Sequence, residues 1–158
     1  KRVTYWPQIW LGLTFNWGAL VGWSAVEGQL SIAPVLLYVG AIFWTIGYDT
    51  IYAHQDKEDD ALVGVKSTAR LFGEKTKSAI SVLYAIMLIL FAIAFIQVGT
   101  HWAAFVGLAL AAGHLARQIV VLDIDNPDQC LALFKSNTMV GWIVFAGLIA
   151  SGLAVALG

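Results

Sequence analysis

Charged residues are scarce in this sequence of 158 residues. They make up 12% of the chain, whereas 59% of the residues are hydrophobic and the mean hydropathy is +0.78. A soluble domain has about 25% charged residues. The composition therefore excludes an ordinary soluble domain and indicates a membrane protein. We expect the lipid bilayer as its surroundings and no nucleic-acid partner.

Cysteine is almost missing too, with Cys130 as its single copy. One cysteine excludes an intramolecular disulfide, and we interpret Cys130 as a small packed residue near a membrane surface. The chain starts at Lys1 without a methionine, and no targeting peptide is recognisable. We interpret it as a fragment or a trimmed chain.

Long apolar runs are abundant. A helix needs about 20 apolar residues to cross a bilayer, and five segments come close to this length. They predict an all-α, multi-pass transmembrane bundle that forms a single domain over residues 1–158, with helices at about 7–26, 31–48, 78–98, 102–122 and 138–157.

The basic residues predict the orientation of the bundle. With five spans, all nine Lys and Arg residues fall on one side, and the opposite side keeps only Glu27 among the acidic residues. Basic residues are enriched in cytoplasmic loops. We therefore expect the loop after the second helix to lie on the cytoplasmic or matrix side.

The stretch from Tyr48 to Gly73, in that loop, holds five of the ten acidic residues. If the second helix continues through it, one narrow stripe holds Asp49, Ala53, Asp56 and Asp60. Carboxylates that share a face repel each other unless a cation lies among them, and Mg²⁺ takes oxygen ligands of this kind. The pattern favours a Mg²⁺ site over the alternative, a solvated acidic loop. His54 lies off the stripe, which argues against metal ligation by its ring.

The end of the same loop reads VGVKSTARLFG. Ser67 and Thr68 are plausible caps for a short helix. Lys66 and Arg70 are four residues apart, would share a face, and could hold a diphosphate. The alternative interpretation is ordinary basic charge on the cytoplasmic side.

Two other polar sites in the sequence each allow two interpretations. Asn126-Pro127-Asp128, within LDIDNPDQC, resembles a calcium loop only superficially and reads better as a turn and helix start. Asn16 lies inside the first apolar segment, where an interhelical hydrogen bond is at least as plausible as substrate contact.

The pattern D-x-x-Y-A-x-x-D-x-x-x-D followed by G-x-K-S-T-A-x-x-F-G resembles the second aspartate-rich motif of the UbiA superfamily of intramembrane prenyltransferases. The wording YDTIYAHQDKEDDALVGVKSTA is most similar to its 4-hydroxybenzoate polyprenyltransferases, and P-D-x-C-L-x-L-F-x-S-N and K-R-x-T-Y-W-P-Q extend the match over the chain. The resemblance corresponds to the C-terminal part of such an enzyme, about five of nine helices.

The resemblance implies an enzyme of ubiquinone biosynthesis, in the bacterial or mitochondrial inner membrane. Mg²⁺ would help a polyprenyl diphosphate to release its diphosphate, and the ring of 4-hydroxybenzoate would attack next to its hydroxyl. Catalysis would fall to Asp56 and Asp60, which with Asp49 would bind the metal. The resemblance also makes substrate-binding candidates of Asp49, Tyr52, Lys66 and Arg2. Arg70 and Asn16 are substrate-binding candidates from their own positions, as described above.

The sequence departs from the family at one point. The family also has a first motif of the type N-x-x-x-D-x-x-x-D, whereas the only acidic residue before Asp49 is Glu27. We therefore expect this chain to need the missing N-terminal helices of the same enzyme and to be inactive alone.

Two alternatives to this function stay open. One is a related prenyltransferase of the menaquinone, haem or chlorophyll type, and the other is a cation transporter or channel.

Overall fold

The computed structural model describes residues 3–157, apart from the side chain of Glu58, and these residues form a helical bundle. Its helices are α1 (Pro7–Phe15), α2 (Gly18–Glu27), α3 (Ile32–Tyr52), α4 (Lys57–Leu62), α5 (Thr68–Phe72), α6 (Thr76–Gln97), α7 (Trp102–Val121) and α8 (Pro127–Leu157), with a short 3₁₀ turn at Gly73–Lys75 before α6. No strand occurs within this described part of the chain, which confirms the predicted all-α class.

Five spans are long and apolar enough to cross a membrane, as predicted. They are Pro7–Glu27, Ile32–Tyr52, Thr68–Gln97, Trp102–Val121 and Pro127–Leu157. The predicted start of the last span at residue 138 is wrong by eleven residues. Asn126 Oδ1 accepts a hydrogen bond from the backbone nitrogen of Gln129 at 3.0 Å, and Pro127 suits the first helical turn. The turn and helix start predicted at Asn126-Pro127-Asp128 are therefore confirmed.

The first span is interrupted, whereas the sequence predicts one continuous helix. Asn16 Nδ2 donates to the backbone oxygen of Gly12 at 2.7 Å and to Thr45 Oγ1 on α3 at 3.0 Å. An asparagine side chain that bonds to nearby backbone competes with the helical ladder. The chain breaks at Asn16 and Trp17, and α2 continues from Gly18.

The centre of the bundle is the contact between α3 and α6. A β-carbon added to Gly47 would lie 2.4 Å from Tyr84 Cε1, and one added to Gly40 would lie 2.8 Å from Phe91 Cδ1. The missing side chains therefore let two large rings of α6 pack directly on the backbone of α3. Small residues commonly allow this close approach between membrane helices.

Candidate substrate-binding site

The helix that leads into the acidic loop ends at Tyr52. Residues 53–56 form turns, and α4 starts anew at Lys57. The stripe predicted from one continuous helix is therefore wrong, and Ala53, which lies within it, is buried. His54 explains the break, because its buried ring lies against α6, with Nε2 2.9 Å from Thr76 Oγ1.

Asp56 and Asp60 remain neighbours in spite of this break. The backbone nitrogen of Asp60 donates to the backbone oxygen of Asp56 at 2.8 Å, so the two residues are one helical turn apart, on the same side of that turn. Asp56 is exposed and Asp60 is half-buried. Asp49 lies on α3, seven residues before Asp56.

The side chains of the acidic loop include oxygen ligands that suit Mg²⁺. Among the described residues, no three His, Cys, Asp or Glu side chains lie close enough together to hold one metal ion. However, Mg²⁺ is usually bound through one or two carboxylates together with substrate phosphates. Asp56 and Asp60 supply such a pair of hard oxygen ligands. The chemistry of this donor pair fits the ion, whereas Mg²⁺ binding itself and the involvement of Asp49 stay predictions.

A charged contact holds α4 against the loop between α7 and α8. Lys57 Nζ donates to Asp125 Oδ1 and, at 3.2 Å, to the backbone oxygen of Ile124. The hydrogen bond from Lys57 keeps the pKa of the exposed Asp125 carboxyl below its usual value. This contact fixes the outer end of the acidic loop to a second part of the bundle.

A cleft of about 300 Å³ lies beside this contact and is lined by His54, Gln55, Lys57, Asp59, Ile124, Asp125 and Pro127. Burial, and secondly the nearby Lys57 ammonium, lower the pKa of His54 to about 4. The ring is therefore neutral at physiological pH. Asp59 lines this cleft, whereas Asp56 and Asp60 do not line it.

The segment after the acidic loop begins with the predicted cap. Ser67 Oγ accepts from the backbone nitrogen of Arg70 at 3.5 Å and starts α5. The Arg70 guanidinium donates to the backbone oxygen of Val65 and, at 3.4 Å, to that of Asp60. Arg70 therefore stabilises the turn that carries Asp60 and brings positive charge next to it.

Lys66 points elsewhere. It precedes the Ser67 cap, so the predicted helical face shared with Arg70 is wrong. Its ammonium nitrogen lies 5.4 Å from the centre of the Tyr5 ring, within the range of a cation–π contact. The prediction that Lys66 binds substrate stays a prediction.

Four aromatic rings form a continuous row that starts below the acidic loop. Tyr52 lies 4.7 Å from Phe134, Phe134 lies 5.7 Å from Tyr48, and Tyr48 lies 5.8 Å from Trp44, measured between ring centres. We call Tyr52, Phe134, Tyr48 and Trp44 the aromatic row. Sequence reasoning selected only Tyr52. The spacing of four residues between 44, 48 and 52 could have indicated the α3 members, whereas Phe134 comes from α8 and has no local signal.

The other candidates take positions with structural explanations. The Asn16 amide nitrogen is occupied by one hydrogen bond to Gly12 within the first span and one to Thr45 on α3, which favours the interhelical alternative over substrate contact. Arg2 lies outside the described residues.

Comparison with known proteins shows what the chain is similar to. Residues 1–146 match the model of the UbiA prenyltransferase family. The chain is 50% identical over 157 residues to the mitochondrial 4-hydroxybenzoate polyprenyltransferase of Bos taurus. The aligned region covers 99% of this chain and 42% of that protein. Identity to the enzymes of the same name is 47% for Homo sapiens (97% of this chain, 42% of that protein) and 48% for Caenorhabditis elegans (97% and 43%).

The chain spans about two-fifths of the length of these curated relatives. No solved structure matches it. The family match covers the five spans up to Ala146, within α8, and includes the acidic loop and the aromatic row. The chain therefore belongs to the UbiA prenyltransferase family.

Proposed function

We propose that this chain contributes to the transfer of a polyprenyl group from polyprenyl diphosphate to the ring of 4-hydroxybenzoate, next to the hydroxyl group. The observation that carries the proposal is that Asp56 and Asp60 lie one helical turn apart, just after Tyr52 of the aromatic row, in a chain about half identical to enzymes named for this reaction. The reaction would belong to ubiquinone biosynthesis.

The acidic loop would bind the diphosphate end of the donor. Asp56 and Asp60 would hold Mg²⁺, which when bound supplies Lewis-acid stabilisation of the leaving oxygens. Arg70, on α5, donates a hydrogen bond to the backbone oxygen of Asp60 and would add positive charge there. The carbon–oxygen bond of the donor breaks and its electron pair leaves with the diphosphate.

The apolar bundle would bind the rest of the donor. The ring carbon next to the hydroxyl of 4-hydroxybenzoate attacks the allylic carbon, a carbon–carbon bond forms, and the ring loses a proton to regain aromaticity. A positively charged allylic carbon reacts readily with water, so the site must exclude water. The aromatic row begins at Tyr52, four residues before Asp56, and supplies an apolar surface next to the acidic loop.

The orientation is part of the proposal. The relatives are named as mitochondrial enzymes, and the basic residues near the acidic loop favour its placement on the matrix or cytoplasmic side of an inner membrane. Both substrates would then reach the acidic loop from that side, and the isoprenoid tail would extend into the bilayer.

The test is an assay of membranes that express the complete gene product. They are incubated with a polyprenyl diphosphate, 4-hydroxybenzoate and Mg²⁺, and prenylated 4-hydroxybenzoate is measured by mass spectrometry. Chelation of divalent metal with EDTA should stop the reaction, and added Mg²⁺ should restore it.

Two results would contradict the proposal. Transfer to dihydroxynaphthoate, haem or a chlorophyll precursor, with none to 4-hydroxybenzoate, would place the chain with a related prenyltransferase that has a different acceptor. Cation flux through proteoliposomes without any prenyl transfer would assign it to the transporter class.

A further inference from the structure

Trp44, the ring of the aromatic row farthest from the acidic loop, is fixed by a polar side chain of α8. Asn137 is 5% exposed and lies ten residues into α8. Its Oδ1 accepts a hydrogen bond from Trp44 Nε1 at 2.9 Å. Polar groups in membrane spans are costly, so they are usually paired or functional.

Asn137 is held from the other side by α7. Its Nδ2 donates to the backbone oxygen of Leu133 at 3.1 Å and to Gln118 Oε1 at 3.4 Å. Gln118 Nε2 donates in turn to Ser136 Oγ at 2.7 Å. Both ends of the Asn137 amide are therefore occupied, and the orientation of its oxygen towards Trp44 is determined by the network.

The Trp44 ring is thus held on more than one side. Its indole nitrogen bonds to Asn137, its ring meets Tyr48 edge to face at 84°, and its Cη2 would lie 3.6 Å from a β-carbon on Gly141. The ring is half-buried rather than enclosed. Next to it, Thr138, Gly141, Trp142 and Phe145 line an open apolar groove.

We propose that Asn137 is a positioning residue that holds the Trp44 ring as a wall of the path for the isoprenoid tail of the donor. This inference rests on the proposed function. Trp44 and Tyr52 are eight residues apart on α3, about 12 Å along the helix axis. The first isoprene units of the donor would therefore lie against Tyr52 and Tyr48, and Trp44 would contact only the units further along the tail.

This separation predicts a dependence on the length of the donor. A donor of two isoprene units ends before the level of Trp44, whereas a donor of nine or ten units passes it. If the Trp44 ring is no longer held in place, kcat/KM should therefore fall for long donors and stay nearly unchanged for short ones. A network that only stabilises the bundle would instead lower the amount of active protein and affect all donors equally.

The experiment measures kcat/KM of the complete gene product in membranes with geranyl diphosphate (two units) and with solanesyl diphosphate (nine units). The variants are Asn137→Leu, Trp44→Phe and the double variant. Ser151→Ala is the matched control, since it removes another buried polar group of α8, which bonds to the backbone nitrogen of His101 at 2.9 Å.

We expect Asn137→Leu to lower kcat/KM about tenfold with the long donor, the equivalent of about 1.4 kcal/mol, and by less than about twofold with the short donor. Trp44→Phe should have the same selectivity, and the double variant should lose little more than either single variant, because the two residues act through one contact. Ser151→Ala should not change the ratio between the donors.

A second substitution keeps the test decisive if Asn137→Leu fails to fold. Gly141→Leu leaves the hydrogen-bond network unchanged but introduces a side chain against Trp44 Cη2, and it should cause the same selective loss. Equal losses with both donors, or fully additive losses in the double variant, would overturn the inference while the proposed function stands. Wild-type membranes that transfer no prenyl group from either donor would refute the proposed function and this inference with it.

Discussion

Gly107 of α7 and Gly147 of α8 meet backbone to backbone. A β-carbon on either glycine would lie 2.9 Å from the Cα atom of the other. Backbone atoms cannot move aside as the end of a flexible side chain can. The two helices can therefore keep this distance only if both positions lack a side chain.

We predict that Gly107→Ala destabilises the protein by about 1–3 kcal/mol, the usual cost of overpacking a tight contact. The measurement is thermal unfolding in detergent, followed by circular dichroism. Gly113→Ala is the matched control, because Gly113 lies on the same helix and an added β-carbon there meets no atom within 4 Å. Equal stability of the two variants would contradict the close packing of α7 on α8.

The paired aspartates lead to a prediction about catalysis. In the complete gene product, Asp56→Asn or Asp60→Asn should abolish prenyl transfer, a loss of at least about a hundredfold, because the ion at the leaving group loses an anionic ligand. Asp59→Asn should be much milder, since Asp59 lines the cleft beside Lys57, which Asp56 and Asp60 do not line. Prenylated 4-hydroxybenzoate from membranes with each variant is the measurement, and similar losses from all three substitutions would count against the Asp56 and Asp60 pair.

The arrangement of the spans can be tested by chemical labelling. Gln29 lies between α2 and α3, and Lys75 lies immediately before α6, at the other end of α3. With a Cys130→Ala background, cysteines at these two positions should react with a membrane-impermeant maleimide from opposite sides of a sealed vesicle. Labelling of both from the same side would refute the topology.

The contact between Lys57 and Asp125 should matter for mobility more than for stability. Asp125 is 78% exposed, and exposed ion pairs contribute about 0–1 kcal/mol. We expect Asp125→Asn to leave the unfolding midpoint nearly unchanged but to increase hydrogen exchange of the α4 amides. Asp128→Asn, in the same exposed segment, serves as the control. Unchanged exchange in Asp125→Asn would mean that the acidic loop does not depend on this contact.

Length and hydropathy alone predicted the number of spans. An apolar run of about 20 residues has few stable alternatives to a membrane helix, because every backbone polar group must be satisfied within the segment. The boundaries were less predictable. Residues 127–137 are polar enough to read as a loop, yet the cap at Asn126 and Pro127 starts α8 eleven residues earlier than predicted.

The sequence by itself determined the all-helical class, the five spans, the loop that carries Asp56 and Asp60, and the cap at Ser67, because each depends on residues close together in the chain. Tertiary structure alone decided that the helix stops at Tyr52, since the burial of His54 against Thr76 turns the chain away from its helical path. It also decided the partners of Trp44. Phe134 and Asn137 belong to the row and the network only because α3 packs on α8, and contacts between residues about ninety positions apart in the chain leave no periodic signal in either segment.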